Sequence, residues 1–334
     1  MAHERFTLVA TILASSLALA GCSSAGQDSA DGSNSADSAG QTIEVQDNHG
    51  TQTVPVSPAA VVATDNRSFE ILDQWGVDLV AAPKPIVPRT VDNYKNNEDI
   101  VDIGNHREPD LEALVATQPD LIVNGQRFAQ HYEDIRTLNP DAAIVELEPR
   151  DGEPMDQELI RHTTALGEIF GKQDEAQQLV DDFQDALERA KQAYDGQSSV
   201  MGLNVSGGEI GYVAPSKGRF WGPIFDWLEL KPALEVDDAS TSHTGDDISV
   251  EAIAEANPAW MLVMDRDGAI SEADKPEYMP AQDVIKNNDA LRDVQAVKDQ
   301  QTLFAPVDTY TNENIITYTE VLNNLADAFE KHSA

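Results

Sequence analysis

Positively charged residues are scarce in this chain. Its 334 residues include 22 Lys and Arg against 59 Asp and Glu, which gives a formal net charge of −37. A surface this acidic is strongly hydrated and repels polyanions, so nucleic acid is excluded as a partner. An anionic small molecule could bind only in a local cationic pocket. The positions of the few arginines are therefore unusually informative.

Cysteine is almost absent, and the one that is present, Cys22, follows a signal-like segment. A single cysteine excludes a disulfide framework. The apolar run Phe6–Ala20 is about fifteen residues long, too short for a comfortable transmembrane span, and it leads into small residues. Leu19-Ala20-Gly21-Cys22 resembles the bacterial lipobox, in which the cysteine becomes the lipid-modified first residue. The alternative is an ordinary secretion signal with an accidental cysteine.

The segment that follows Cys22 has almost no apolar residue larger than alanine. We predict residues 1–21 as a lipoprotein signal peptide and residues 22–41, rich in Ser, Ala, Gly and Asp, as a flexible tether. Together they predict a folded part held at the extracytoplasmic face of the cell membrane by a lipid on Cys22.

Catalytic motifs are also missing. The sequence contains no Gly-x-Ser-x-Gly, no His-Glu-x-x-His and no phosphate-binding loop, which argues against an enzyme. Seven histidines are present, but they form no cluster in the sequence, which argues against a site for bare zinc or manganese. We expect no intrinsic cofactor.

One repeat stands out. The segment 109–123 is echoed by 248–262, and in each copy a Glu (Glu112, Glu251) precedes a Pro by seven positions. An apolar run follows each Pro, and then an arginine, Arg127 or Arg266. Ligands of open α/β sheets bind beyond the carboxyl ends of the strands. The repeat therefore predicts two similar lobes that present cations to one cleft for an anion.

Short apolar runs alternate with helical patterns on both sides of a long helical stretch. This alternation predicts an α/β protein with two Rossmann-like lobes, mostly parallel central sheets and a ligand cleft between them. We predict an N-terminal lobe at 42–170, one long linking backbone helix at 171–196 and a C-terminal lobe at 197–334. A helix of some twenty residues spans roughly 30 Å, enough to connect two lobes rigidly.

The chain resembles a known family over about residues 42–332, the class III (helical-backbone) solute-binding lipoproteins of iron–siderophore and cobalamin ABC importers. The resemblance rests on Gly104-Asn-His-Arg-Glu-Pro with the first repeat, Ser206-Gly-Gly, Gly218-Arg-Phe, His243, Ile248-Ser and Val263-Met-Asp-Arg266. It is closest to the ferric catecholate (enterobactin-type) branch. It implies a monomer that captures a ferric siderophore and delivers it to an ABC permease dimer for iron uptake.

The resemblance also implies a set of site residues. Arg127, Arg219 and Arg266 would contact the ferric complex, and His243 and Tyr310 would take iron sites that the siderophore leaves open. A planar guanidinium can pair with catecholate oxygens and lie against their rings, which suits this ligand. Less specific candidates for the same cleft are Arg67, Trp221, Arg107, His131 and Tyr132.

Glu112 and Glu251 are candidates for docking to the permease, because each lobe of this importer class docks through a glutamate. A carboxylate in the first turn of a helix is also favoured by the helix dipole alone. Other ligands and roles stay open. Haem could use His243 or Tyr310 as an axial ligand and arginines for its propionates; cobalamin and a non-transport role as a surface lipoprotein are further alternatives.

Overall fold

The computed structural model describes residues 41–237 and 239–333. Cys22, the predicted signal peptide and all but the last residue of the predicted tether lie outside these residues. The strands are β1 Thr42–Asp47, β2 Gly50–Pro55, β3 Val61–Ala63, β4 Leu79–Ala82, β5 Val101–Asp102, β6 Gly104–Asn105, β7 Glu108–Pro109, β8 Leu121–Asn124, β9 Ala143–Glu146, β10 Ser199–Ser206, β11 Glu209–Val213, β12 Lys231–Pro232, β13 Trp260–Asp265 and β14 Thr302–Phe304. The α-helices are α1 Phe69–Gln74, α2 Asp92–Lys95, α3 Leu111–Ala116, α4 Tyr132–Leu138, α5 Met155–Phe170, α6 Gln173–Ala193, α7 Trp221–Leu228, α8 Val250–Ala256, α9 Ala281–Asn287, α10 Gln295–Lys298 and α11 Ile315–Ser333.

The first sheet is parallel throughout, with strand order β5-β4-β3-β8-β9. Every residue of β3 and β8 is buried, as expected for strands covered on both faces. The chain builds outward from β3 on one side and then returns to add β8 on the other. This reversal opens a crevice at the carboxyl ends of β3 and β8, where open α/β sheets bind ligands.

The second sheet has the order β11-β10-β13-β14, with the short β12 also paired to β10. The β10–β11 pair is an antiparallel hairpin, whereas β10, β13 and β14 are parallel. The predicted α/β fold with two mostly parallel sheets is confirmed. The carboxyl ends of β10 and β13 form the second half of the cleft.

The sequence repeat is one helix–strand unit used in both halves. Asp110 caps α3 by accepting from the Ala113 N–H at 2.8 Å, and Ser249 caps α8 by accepting from the Ala252 N–H at 3.1 Å. The central strands β8 and β13 follow these helices. Glu112 and Glu251 are both exposed in the first turn of their helices.

Helices α5, α6 and α11 form a layer that spans both halves. Helix α5 ends at Gly171 in the left-handed conformation (φ 65°), and α6 then runs for 21 residues. At 1.5 Å per residue, α6 is roughly 30 Å long. It packs on α5 of the first half and on α7 and α11 of the second through an apolar stripe: Ala176, Val180, Phe183, Ala186 and Ala190. None of the helices in the described ranges is both long and apolar enough to cross a membrane.

The segment 308–314, just before α11, ties the two halves together. Asn66 donates to the Thr311 carbonyl at 3.0 Å, and Thr90 contacts Asp308. Glu70 accepts from the side-chain amides of Asn312 and Asn314 at 2.8 and 2.9 Å. These contacts join the first half to a segment that follows β14 of the second. Segment 308–314 therefore continues the chain of the second half and is hydrogen-bonded to the first half.

Candidate ligand-binding cleft

Three arginines from different parts of the chain converge on one aromatic ring. The Cζ atoms of Arg219, Arg266 and Arg127 lie 4.1, 5.1 and 5.9 Å from the centroid of the Tyr310 ring. Each guanidinium is within the range of a cation–π contact. The cluster concentrates positive charge at one point of a strongly acidic protein.

Two adjoining cavities open above this cluster, with volumes of about 300 and 450 Å³. Arg127 and Arg266 line both, as do residues of the β6–β7 turn, whereas Arg219 and Tyr310 line only the first and His243 only the second. Apolar residues of both halves also line the first cavity, among them Ile86 and Ile270. Volumes in this range suit a small-molecule ligand.

Arg127 and Arg266 are placed by the ends of the two central strands. Arg127 lies in the 3-10 helix Gln126–His131 just after β8, and Arg266 directly follows β13. Arg127 Nη2 donates to Tyr310 Oη at 2.9 Å, and its Nη1 lies 3.4 Å from His106 Nε2. Arg266 Nη1 donates to Asp267 at 2.8 Å and to Ser206 Oγ at 3.2 Å.

Arg219 reaches the cluster from the loop before α7. Its Nε contacts the Glu313 carboxylate, and its Nη2 donates to the Tyr310 carbonyl at 2.8 Å. The loop depends on Gly218, because a Cβ there would lie 2.3 Å from Val213 Cγ1 and 2.7 Å from the Ala214 carbonyl oxygen. Only glycine permits this close approach.

The arginines change the acid–base chemistry of their neighbours. Burial opposes ionisation of Tyr310, but the charge of Arg219, a polar contact from Arg266 and the charge of Arg127 together hold the pKa of this phenol below its ordinary value. Burial, and then the charges of Arg266, Arg127 and Arg219, lower the pKa of His243. His243 is therefore neutral at neutral pH, the form that can bind a metal.

Tyr310 is buried beneath the three arginines and contacts all of them. Only 1% of its surface is exposed, and its hydroxyl already accepts from Arg127. His243, by contrast, is exposed in the polar loop beside the second cavity. No group of three or more His, Cys, Asp or Glu within 41–237 and 239–333 is arranged to hold a metal ion.

Two of the predicted cleft residues lie elsewhere. Trp221 is fully buried at the start of α7 and lines neither cavity, because α7 turns its apolar side into the core. Arg67 is buried behind the cleft, where it pairs with Glu148 at 3.2 Å and Glu313 at 3.8 Å. Both assignments as ligand-contacting residues are corrected.

The three less specific candidates, Arg107, His131 and Tyr132, also differ in whether they line the cavities. Arg107 lines both cavities. His131 lines neither cavity and contacts the His106 carbonyl at 2.9 Å. Tyr132 also lines neither and stacks on His49, with ring centroids 3.7 Å apart. Of these three residues, only Arg107 reaches the cleft.

His106, Gln126 and Glu313 were missed as cleft residues. His106 lies in the β6–β7 turn, within the Gly104-Asn-His-Arg motif. A histidine beside an arginine in a polar turn was the sequence feature that could have identified it as a cleft residue. Burial, and then the charges of Arg127, Arg107 and His131, lower the pKa of His106. Glu313 gave no sequence signal, because only the fold brings it to Arg219.

Two α/β lobes with a cationic cleft between the carboxyl ends of their strands define a two-lobed solute-binding protein. The chain belongs to the periplasmic binding protein family, whose sequence model matches residues 61–308. It is 30% identical over 291 residues to the ferric-anguibactin-binding protein FatB of Vibrio anguillarum, covering 86% of this chain and 88% of that protein. It is 26% identical over 290 residues to the petrobactin-binding protein YclQ of Bacillus subtilis, covering 85% of this chain and 86% of that protein. The crystal structure of YclQ shares the fold with a TM-score of 0.74 at 23% identity, over 87% of this chain and 99% of that chain.

Proposed function

We propose that this protein captures a ferric siderophore with catecholate groups outside the cytoplasmic membrane and hands it to an ABC permease for iron uptake. The observation that carries the proposal is the convergence of Arg127, Arg219 and Arg266 on Tyr310. The relative from Vibrio anguillarum is by name a ferric-anguibactin-binding protein, which supports a ferric complex as the ligand. The role is one of binding and delivery, without catalysis.

The chemistry of the cleft suits such a complex. Ferric catecholates are anionic, flat and aromatic, and guanidinium groups can donate to their oxygens while stacking on their rings. The cluster is held in place before the ligand arrives, since each arginine is already fixed by Tyr310, Glu313, Asp267 or Ser206. A preorganised site loses less conformational entropy on binding.

His243 is the residue we assign to iron if the siderophore leaves a coordination site open. Its ring borders the second cavity and carries a lowered pKa, so a nitrogen lone pair is present at neutral pH. Tyr310 is less suited to direct ligation, because its oxygen is engaged by Arg127 below the cleft surface.

Delivery to the membrane rests on residues away from the cleft. We propose that Cys22 carries the lipid anchor and that the protein acts as a monomer. Glu112 and Glu251, exposed on equivalent helices of the two lobes, are the proposed contacts with the two halves of the permease dimer.

A fluorescence titration tests the proposal. Residues 22–334 with Cys22→Ser are titrated with a ferric catecholate siderophore, its iron-free form, haem and cobalamin while tryptophan emission is followed. We expect saturable quenching by the ferric siderophore at far lower concentration than by the other three. The absence of quenching by the ferric siderophore would overturn the proposal, and tighter binding of haem or cobalamin would replace the ligand class.

A further inference from the structure

One buried arginine lies behind the cleft without lining it. Arg67 is 9% exposed and lines neither of the two cavities. It follows β3 in the turn Asp65-Asn-Arg-Ser, where its N–H donates to Asp65 Oδ1 at 3.0 Å. A guanidinium taken out of water needs partners of matching geometry, and buried ion pairs contribute little net stability. The partners of Arg67 therefore indicate what its burial achieves.

The first partner links Arg67 to the second half of the protein. Glu313 is 5% exposed, and its two carboxylate oxygens face two different arginines. Oε1 contacts Arg219 Nε, whereas Oε2 lies 3.8 Å from Arg67 Nη2. Because the carboxylate is shared, Arg67 restricts the position of Glu313 and thereby the direction in which Arg219 points.

The second partner links Arg67 to the loop that carries Arg127. Gln126 has a backbone φ of 52°, in the left-handed region that is unfavourable for a residue with a side chain. Its side-chain amide faces the guanidinium, and with the oxygen turned toward Arg67 it accepts from Nη1 at 2.5 Å and from Nη2 at 3.0 Å. A strained backbone persists only where surrounding contacts hold it. Arg67 therefore also helps to set the position of the next residue, Arg127.

The same loop packs closely on the residues that surround Arg67. Glu148 Oε2 accepts from Arg67 Nη1 at 3.2 Å. A Cβ at Gly125 would lie 3.0 Å from Asp65 Cβ and 3.2 Å from Glu148 Oε1. A shift of the guanidinium would therefore be felt by the backbone just before Arg127.

Resting on the proposed function, we propose that Arg67 is a positioning residue that fixes two of the three cleft arginines without contacting the ligand. Its hold on Arg219 passes through the carboxylate of Glu313. Its hold on Arg127 passes through the amide of Gln126.

The third cleft arginine is held by other residues. Arg266 Nη1 donates to Asp267 at 2.8 Å and to Ser206 Oγ at 3.2 Å, and both partners belong to the second half. Arg266 therefore provides an internal comparison for the effect of Arg67.

Replacement of Arg67 tests the proposal. Arg67→Met keeps an unbranched apolar chain and removes the guanidinium, and affinity for a ferric catecholate siderophore is measured by quenching of tryptophan emission. We expect affinity to fall by about tenfold. Arg67→Lys should restore part of it, because a lysine keeps the charge but lacks the planar fork.

Arg189→Met is the matched control. Arg189 joins α6 to α11 through two carboxylates, Asp327 and, at 2.8 Å, Glu330. Its replacement removes the same charge and breaks ion pairs without touching the cleft. Affinity should stay within about twofold of that of the unaltered protein.

Double variants separate positioning from a general loss of structure. If Arg67 acts through two arginines, about threefold of the tenfold loss passes through each. The loss caused by Arg67→Met should therefore shrink to about threefold in Arg219→Ala and in Arg127→Ala, and stay at about tenfold in Arg266→Ala. A merely structural role of Arg67 would give the same loss in all three backgrounds.

Unfolding in urea is measured beside each titration. If Arg67→Met does not fold, Arg67→Met with Glu148→Gln takes its place, because the second change removes a carboxylate that the first leaves without its donor. A folded variant with unaltered affinity, or the same loss in all three backgrounds, overturns the inference and leaves the proposed function intact. Failure of the unaltered protein to bind the siderophore overturns the proposed function itself.

Discussion

Arg127 is the cleft residue whose replacement gives the sharpest test of the site. It lines both cavities and, within the described residues, has no carboxylate partner, so its charge is available to the ligand. Hydrogen bonds to charged groups contribute about 1.5–3 kcal/mol each. Arg127→Ala should therefore weaken binding of the ferric siderophore by about 10- to 150-fold.

Two further variants separate charge from geometry. Arg127→Lys keeps the charge but loses the planar fork, so we expect an intermediate affinity. Arg136→Ala is the matched control, because Arg136 is exposed on α4 of the same half. Its one ion pair within 41–237 and 239–333 is with Glu133 at 2.7 Å. It changes the net charge of the protein by the same amount without touching the cleft.

The assay is quenching of tryptophan emission at fixed ionic strength, since screening weakens long-range charge effects. Unfolding in urea is measured in parallel, because Tyr310 loses its hydrogen-bond donor in Arg127→Ala. The reasoning is refuted if Arg127→Ala is folded and its affinity stays within about twofold of that of Arg136→Ala.

Four further predictions concern the same region. Burial raises the pKa of Glu148 to about 7 in the folded protein, although the charge of Arg67 opposes this shift. In the unfolded chain, Glu148 loses its proton at a lower pH. The free energy of unfolding should therefore fall as the pH rises from about 4.5 to about 7. Glu148→Gln should remove that fall in urea unfolding, and an unchanged fall would contradict it. Trp221→Phe should lower the free energy of unfolding by about 0.5–3 kcal/mol without changing affinity; a changed affinity would place Trp221 at the ligand. Tyr310→Phe should preserve the charge-transfer bands of bound iron, whereas their loss would make the phenolate an iron ligand. Small-angle scattering with and without ligand should show a change in radius of gyration below about 1 Å, because segment 308–314 ties the lobes; a large closure would contradict this.

The sequence was most informative where the chain repeats itself. Arg127 and Arg266 follow buried apolar runs at equivalent places, and the rule that parallel strands present ligands at their carboxyl ends was enough to bring them to one cleft. The long helix Gln173–Ala193 was visible for a similar reason, because its apolar stripe has helical spacing over many turns.

The remaining site depends on contacts between residues distant in the sequence, which no local pattern encodes. Arg219 meets Glu313 across 94 positions, and Tyr310 meets Arg127 across 183. Trp221 was misassigned because it adjoins Arg219 in a loop-like motif. Phe220, with φ 62°, separates them and starts a helix that buries the indole. Strands of two residues, such as β6 and β7, are too short to show any periodicity.

The central claim is that a ferric siderophore binds at the three arginines. The most direct test is X-ray diffraction at the iron absorption edge, from crystals of the protein grown with a ferric catecholate siderophore. We predict one anomalous peak in the cleft between the lobes, with ligand oxygens within hydrogen-bond distance of Arg127, Arg219 and Arg266. A crystal in which the only iron lies outside this cleft, or in which the ligand binds without contacting these arginines, would contradict the account.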